Sequence, residues 1–312
     1  MAGGAAGPLW QAGNVSKRAE RAKERARRGE RPPAPEPLTV PVPDNHTHLD
    51  IVAGWSWDGD RDETVPFDDE TVTAELDAAE AAGIDRVVQV GIDVASSAWA
   101  ADLAGHDRRV LAAVALHPND APTQDDLDAA LTEIEKLVQR PRVVALGETG
   151  MDYFRTGSDG RAKQEESFRA HIALAKTYDK TLMIHDRDAH DDVLRILAEE
   201  GAPDRVVMHC FSGDAEHAAA CAERGYYMSF AGNVTFKNAP GLRDAAAVCP
   251  PELMLIETDA PFMTPMPYRG RQNGPFLVPL TVRFLAGHLD RDVDELCAAV
   301  SANTERVYGS WG

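Results

Sequence analysis

The sequence predicts an α/β fold, a single (β/α)8 TIM-type barrel, because two patterns alternate along most of the chain. From residue 44 onward, short apolar or β-branched runs are separated by longer segments with helical periodicity. Strands that alternate with helices pair in parallel through right-handed crossovers, and eight such units make a barrel. An open doubly wound sheet is the main alternative. It is disfavoured because no GxGxxG or Walker sequence follows a predicted strand.

The individual elements follow from these patterns. The predicted strands are residues 44–48, 86–92, 110–116, 143–147, 181–185, 205–209, 226–230 and 253–257. The predicted helices include residues 74–82, 124–139, 162–178, 189–200 and 215–224, several of them followed by Gly or Pro. The barrel is expected to occupy residues 41–312.

Residues 1–40 differ in composition from the rest of the chain. They hold eight Lys or Arg and four Asp or Glu, which is a net charge of +4. Since the whole chain has a net charge of −19, the remaining residues carry −23. A charged stretch without an apolar stripe, followed by PPAPEP, predicts a flexible, partly helical tail with a stiff proline-rich spacer. The alternative is a basic arm that contacts nucleic acid or the protein's own acidic surface.

The overall charge excludes a protein held on nucleic acid by bulk positive charge. If the substrate is a polyanion, bound cations must reverse the field locally. The four cysteines form no CxxC pair, and no apolar stretch approaches the roughly 18 residues of a membrane span. We therefore expect reduced thiols, a cytoplasmic location, no membrane association and no obligate protein partner.

Ligand-type side chains fall at or just after the carboxyl ends of six predicted strands. In a barrel these ends converge on one mouth, where catalytic groups gather. The residues are His46, His48, His117, Glu148, His185, His209 and Asp259. Scattered surface histidines would not align with strand ends in this way, so the pattern predicts a catalytic centre.

The spacing suggests a site for two divalent metal ions. His46 and His48 are two residues apart and so point to the same face of a strand, where both can hold one ion. Glu148 follows an apolar run and has two oxygens, so it can bridge two ions about 3.5–4 Å apart. His185 and His209 end apolar strands in the same manner.

Each of these two histidines can supply a nitrogen to the second ion. Asp259 can hold the first ion and take a proton from an attacking water. Mixed imidazole and carboxylate ligation suits Zn, Mn, Co, Ni and also Mg, and the sequence does not choose among them. Hydrogen-bonded core histidines are the alternative interpretation of an isolated His-x-His pair.

Six segments resemble, in order, the motifs of the TatD family of metal-dependent deoxyribonucleases, within the wider amidohydrolase-like barrels. They are DNHTHLD at 44–50, ALHPND at 115–120, GETGMDYFR at 147–155, MIHDRDAHDD at 183–192, HCFSG at 209–213 and ETDAPFMTP at 257–265. The resemblance covers roughly residues 44–312.

The resemblance implies a TIM barrel with two divalent ions that cleaves DNA phosphodiesters, often as an exonuclease on single-stranded ends. Magnesium is the expected metal. It assigns His46, His48, Glu148 and Asp259 to one ion, and Glu148, His185 and His209 to the other. It also implies that four residues line the substrate pocket, namely His117, Asp152, Tyr153 and Arg187. Asp259 and Glu148 are then the catalytic residues.

Some residues depart from the family pattern or have two interpretations. Gly274 stands where the family usually has an acidic residue before a proline. Trp55 and Trp57 in the first βα loop can stack on bases or pack the loop onto the barrel rim. Arg187 can hold phosphate or form an ion pair with a nearby aspartate. His190 and His217 have no predicted convergent partners and are interpreted as surface residues.

Three functions fit the predicted site. The first is a deoxyribonuclease, in which the ions and a water attack phosphorus in line with the leaving oxygen. The second is an ester or amide hydrolase at the same two ions, such as a D-aminoacyl-tRNA deacylase. The third is a binding barrel without activity, which is disfavoured because all six metal-ligand positions hold coordinating residues.

Overall fold

Eight parallel strands form one sheet in which each strand pairs with the next along the chain. The computed structural model describes residues 31–53 and 65–311. The strands are β1 (Asp44–Thr47), β2 (Val87–Val90), β3 (Val110–Val114), β4 (Val143–Asp152), β5 (Thr181–Arg187), β6 (Val206–Met208), β7 (Tyr227–Phe230) and β8 (Met254–Ile256). The predicted barrel is confirmed.

Helices follow the strands and cover the outside of the sheet. They are α1 (Leu49–Ala53), α2 (Glu70–Ala81), α3 (Val94–His106), α4 (Leu127–Val138), α5 (Ser158–Thr177), α6 (His190–Glu200), α7 (Ala215–Glu223), α8 (Pro240–Val248), α9 (Val278–His288) and α10 (Val293–Tyr308). Side-chain caps fix several of their starts. Asp93, for example, accepts a hydrogen bond from Ser96 N in a capping box that begins α3.

Alternation along the strands divides the core into two layers. Val87 packs outward against the helices, whereas Val88 and Val90 belong to a cluster inside the barrel. Tyr308 and Trp311 at the C-terminal end join this inner cluster. They close the end of the barrel where the strands begin, which leaves the opposite end for a site.

The barrel is closed between β1 and the segment that follows β8 by side-chain and backbone hydrogen bonds together. The Asp44 carboxylate accepts a hydrogen bond from Thr258 N at 2.9 Å, and Thr47 forms an isolated parallel bridge with Ala260. Burial raises the pKa of Asp44 to about 7, although hydrogen bonds from Thr258 and His46 oppose this effect. The first ligand-type residues in the sequence therefore lie beside the last ones in space.

Part of the predicted tail belongs to the barrel. Leu38 is buried, and its backbone N donates to Ala82 O at 3.0 Å. The Arg31 guanidinium pairs with the Glu75 carboxylate on α2. The segment from Arg31 onward thus packs on the helices. The rest of the predicted tail, residues 1–30, and Trp55 and Trp57 lie outside the described residues.

Two strands are longer than predicted, and this difference shapes the site. β4 continues to Asp152, so Glu148 lies within the strand and not after it. The register of β4 against β5 shifts between Leu146 and Thr149, which pair with Leu182 and Ile184. Three steps on β4 thus match two on β5. A bulge of this kind redirects side chains locally, and Glu148 lies inside it.

The described chain has no helix that is both long and apolar enough to span a membrane. Its four cysteines are all free thiols.

We expect Gly150→Ala to destabilise the protein. Gly150 has a φ of +135°, and a Cβ there would lie 2.2 Å from the carbonyl oxygen of His185 on β5. Relief of this clash must separate β4 from β5, which should lower the free energy of unfolding by at least about 2 kcal/mol. Chemical denaturation followed by circular dichroism measures the change.

Gly287→Ala in α9 is the matched control, because a Cβ there meets nothing within 4 Å. It should leave stability unchanged or raise it slightly, since Ala favours helix. Equal stability of Gly150→Ala and the wild type would contradict the close approach of the two strands.

Candidate metal centre

Five histidines and two carboxylates meet at the carboxyl end of the barrel. The structure brings together six residues predicted as metal ligands, and His117 lies beside them. His46, His48 and Asp259 each place one ligand atom within 4.8 Å of the others. All three are buried. The site is therefore shielded from bulk solvent. Because electrostatic attraction is stronger away from water, these residues would hold an ion strongly.

Glu148 lies at the centre and divides its two oxygens between two groups of imidazoles. Its Oε1 lies 3.8 Å from His46 Nε2 and 3.5 Å from His48 Nε2. Its Oε2 lies 3.1 Å from His185 Nδ1 and 2.7 Å from His209 Nε2. This is the arrangement expected of a carboxylate that bridges two cations.

The outer nitrogens of the first pair face acceptors. His48 Nδ1 lies 3.0 Å from the carbonyl oxygen of Val90, and His46 Nδ1 lies 3.1 Å from the sulfur of Met183. A neutral imidazole that donates through Nδ1 presents a lone pair at Nε2. The two Nε2 atoms face each other at 3.1 Å. Two lone pairs at this distance repel unless a cation or a proton lies between them.

The second pair has the same arrangement. His185 Nε2 lies 3.2 Å from Asp152 Oδ2, and His209 Nδ1 lies 3.1 Å from Glu257 Oε1. Each outer nitrogen therefore faces a carboxylate, and a neutral ring that donates there would present the lone pair of its inner nitrogen toward Glu148. Burial disfavours the charged ring of His209, but Glu148 and Glu257 raise its pKa well above the ordinary value. Such outer carboxylates commonly fix the tautomer and orientation of metal-binding histidines. The donor set consequently fits two divalent cations.

His117 is oriented in the opposite sense. Its Nδ1 accepts a hydrogen bond from the backbone N of Asn119 at 3.0 Å, so a neutral ring carries its proton on Nε2. That nitrogen lies 3.8 Å from Glu148 Oε2. His117 thus presents a donor to the site, where the other four histidines present acceptors. Burial lowers the pKa of His117 to about 3, which keeps the ring neutral.

Burial and mutual charge govern ionisation in the centre. Burial disfavours the Glu148 carboxylate, but neighbouring His209 holds its pKa well below the ordinary value. Burial raises the pKa of Asp259 to about 7, and His209 and His48 offset only part of this effect. A cation beside Asp259 would lower this pKa, because it stabilises the charged form. The protein alone therefore concentrates carboxylate and imidazole lone pairs that need positive charge.

Two of the four predicted pocket residues are occupied by internal contacts. Asp152 was expected to contact substrate, but its side chain is 1% exposed. Its Oδ1 accepts from Phe154 N at 2.9 Å, and its Oδ2 faces His185. The Tyr153 hydroxyl donates to Asp192 at 2.6 Å. Asp152 therefore orients a histidine and does not line the pocket.

Arg187 pairs with an aromatic ring instead of an aspartate. Its guanidinium lies 4.0 Å from the ring centroid of Phe154, whose side chain is 64% exposed. Phe262 is also exposed, and its ring lies 6.2 Å from that of His48. Sequence reasoning missed both phenylalanines. Their only signal was their position within the segments GETGMDYFR and ETDAPFMTP.

The structure also accounts for the departure at Gly274. A Cβ at Gly274 would lie 3.0 Å from the ring of Phe276 and 3.3 Å from Glu75 Oε2. Glu75 thus brings a carboxylate from α2 to the place where an acidic side chain at position 274 would begin. A second carboxylate there would be crowded and would repel the first, so the glycine and Glu75 match each other.

The interpretation of His190 and His217 as surface residues without partners is wrong. Both rings face the Asp186 carboxylate, and the three residues form a group with ligand atoms within 4.8 Å of one another. Asp186 occupies the β5 position between His185 and Arg187. Helical position alone could not reveal this, because the partners come from three elements that meet only in the folded barrel.

The barrel and its paired ligand groups define a metal-dependent hydrolase, and comparisons with known proteins agree. The model of the family described as TatD related DNase matches residues 43–309. The chain belongs to this family. It is 46% identical over 270 residues to the uncharacterized metal-dependent hydrolase TatD of Mycobacterium tuberculosis, covering 85% of this chain and 97% of that protein.

Two further proteins support the same assignment. The uncharacterized metal-dependent hydrolase YabD of Bacillus subtilis is 36% identical over 267 residues, with 85% of this chain and 98% of that protein covered. The crystal structure of YJJV, a TatD homologue from Escherichia coli, superimposes with a TM-score of 0.76 at 27% identity, covering 86% of this chain and 98% of that one.

Glu148→Ala should bind at least one ion fewer than the wild-type protein. The substitution removes both oxygens that face the two imidazole groups, while the outer partners of the histidines remain. Elemental analysis after dialysis in Mn²⁺ or Zn²⁺ measures the stoichiometry.

Glu133→Ala is the control, since Glu133 is an exposed residue of α4 that pairs only with Lys136. It should bind as many ions as the wild type. The wild-type metal content in folded Glu148→Ala would rule out a bridging role.

Proposed function

We propose that the protein is a divalent-metal-dependent deoxyribonuclease that cleaves DNA phosphodiester bonds in the manner of an exonuclease. Single-stranded ends are the proposed substrate, two ions are the proposed cofactors, and magnesium is the proposed cellular metal. Zn, Mn, Ni or Co would fit the same ligands. The description of the family supports this proposal. The proposed location is the cytoplasm, and the four free thiols support it.

The observation that carries the proposal is that the two oxygens of the Glu148 carboxylate face two different groups of possible metal ligands. His46, His48 and Asp259 would hold one ion on the Oε1 side, and His185 and His209 the other on the Oε2 side. When bound, two such ions neutralise charge on a phosphate and make water a stronger nucleophile at neutral pH. This local charge would also offset the net −19 of the protein.

Asp259 is the proposed base. It lies at the mouth, 3.7 Å from His48 Nε2, and its carboxylate is mostly buried. A carboxylate in this position can take the proton from a water that attacks the substrate. Its second role is to hold an ion, so removal of its charge should affect both binding and chemistry.

His117 is the proposed donor to a non-bridging phosphate oxygen. Its Nε2 hydrogen faces the centre because Asn119 N fixes the tautomer. Arg187 ends β5, and Phe154 lies just after β4. The Arg187 guanidinium lies 4.0 Å from the centroid of the exposed Phe154 ring. A guanidinium over an aromatic ring suits a phosphate next to a stacked base. Phe262 offers a second exposed ring beside His48.

A second candidate function is hydrolysis of an ester or amide at the same ions, such as deacylation of D-aminoacyl-tRNA. The donor set itself supports this alternative, because paired cations can polarise a carbonyl as well as a phosphoryl oxygen. The exposed phenylalanines favour neither polymer, since every nucleobase has a face that can stack.

We expect purified protein to degrade 3′-labelled single-stranded DNA with Mg²⁺ or Mn²⁺ and to lose this activity in EDTA. Asp259→Asn should lower kcat by on the order of 100-fold or more, because it removes the base and weakens one ion site. Gel analysis of the time course measures both effects.

Exposed Asp159→Asn, at the start of α5, is the control and should degrade DNA at the wild-type rate. Unchanged degradation by Asp259→Asn would exclude Asp259 as the base. If DNA stays intact in every metal but D-aminoacyl-tRNA is deacylated rapidly, the second function replaces the first.

His117→Ala should lower kcat by on the order of 100-fold, as expected for loss of one transition-state donor. Its metal content should stay at the wild-type value, because His117 presents an N–H and not a lone pair. Parallel DNA assays and elemental analysis test both statements. Loss of an ion from this variant would show that His117 is a ligand, and His106→Ala on the exposed side of α3 should change neither property.

A further inference from the structure

A second group of ligand-type side chains lies outside the barrel mouth. Asp186 Oδ2 lies 2.8 Å from His190 Nδ1 and 3.5 Å from His217 Nε2. The three residues come from β5, from the first turn of α6 and from the first turn of α7. The proposed nuclease chemistry uses none of them.

The Asp186 carboxylate is incompletely satisfied. Its side chain is 5% exposed, and its Oδ1 is buried with no hydrogen-bond partner among the described residues. A buried polar atom without a partner costs about 1–3 kcal/mol. The next cation along the chain, Arg187, lies over Phe154. An ion held by both oxygens of the Asp186 carboxylate would satisfy Oδ1 as well as Oδ2.

The two imidazoles are held close to each other. The rings of His190 and His217 stack with centroids 4.3 Å apart and an interplanar angle of 19°. Phe211 stacks on His217 as well, with centroids 5.5 Å apart. Two protonated rings in this arrangement would repel each other, whereas one divalent ion can use a lone pair from each. The packing therefore preorganises two nitrogen ligands beside a carboxylate.

An ion can reach this group from solvent. The His190 side chain is 32% exposed, while those of Asp186 and His217 are buried. Two imidazoles and one carboxylate are the ligands that Zn²⁺ and similar transition ions prefer, and Mg²⁺ does not favour such a nitrogen-rich set. A water can complete the coordination.

We propose that Asp186, His190 and His217 form a mononuclear site for Zn²⁺ or a similar transition ion, separate from the centre in the barrel mouth. The ion joins the end of β5 to the starts of α6 and α7. Because Asp186 directly follows His185, this link also stabilises the strand end that carries a ligand-type residue of the mouth. The role of the site is therefore structural.

Zinc stoichiometry tests the proposal. Untagged full-length protein is stripped with EDTA, saturated with Zn²⁺, freed of excess metal by gel filtration and analysed by inductively coupled plasma mass spectrometry. His190→Gln and His217→Gln should each bind one equivalent fewer than the wild type. Zn²⁺ should also raise the melting temperature of the wild type more than that of either variant.

His288→Gln is the matched control, because His288 is exposed on α9 and its Nε2 contacts only the carbonyl of Arg243. It should bind the wild-type amount. An unchanged stoichiometry in His190→Gln overturns the proposal whatever the total, and leaves a hydrogen-bonded Asp–His network in its place. Since His190 is partly exposed, this variant remains informative if His217→Gln does not fold.

Discussion

The buried carboxylate of Glu148 is the constraint on which the site depends. Five imidazoles place a ring nitrogen within 3.8 Å of its two oxygens. A charge in this position is costly unless it is compensated. Protonated histidines can provide that compensation, but two of them would then oppose each other at short range. Divalent cations provide it without this repulsion, so the geometry of the other residues can be understood as support for them.

That support begins in the backbone and continues in an outer layer of hydrogen bonds. The bulge in β4 places Glu148, and the absence of a side chain at Gly150 lets β5 approach closely enough for His185 to meet it. Asp152 and Glu257 then fix which nitrogen of a ring faces inward. The tautomer of His117 is set by a backbone donor instead of an acceptor. This single difference in its hydrogen bonding separates a group suited to substrate from groups suited to metal.

The sequence predicted the barrel and the convergence of its ligand-type residues because both depend on periodicity. Strand alternation and the positions of His46, His48, His185 and His209 at strand ends are local properties of the chain. The bulge, the inward turn of Asp152 and the meeting of His190 with Asp186 depend on register and on packing between elements far apart in sequence. Those features could not be obtained from local patterns. The packing of Leu38 was missed for the same reason, since its partner Ala82 lies at the C-terminal end of α2.

The choice between phosphorus and carbonyl carbon rests on groups around the ions and not on the ions themselves. A phosphodiester arrives with a negative charge, whereas an ester or amide develops charge only during the reaction. A fixed N–H at His117 and a guanidinium at Arg187 would interact with charge already present on a phosphate, and would thus contribute to binding as well as to the reaction. In a protein of net charge −19, such local positive groups matter more than they would on a basic surface, because the remaining field repels nucleic acid. If His117 and Arg187 contact the substrate as proposed, their arrangement therefore suits a reacting group that is anionic before it reacts.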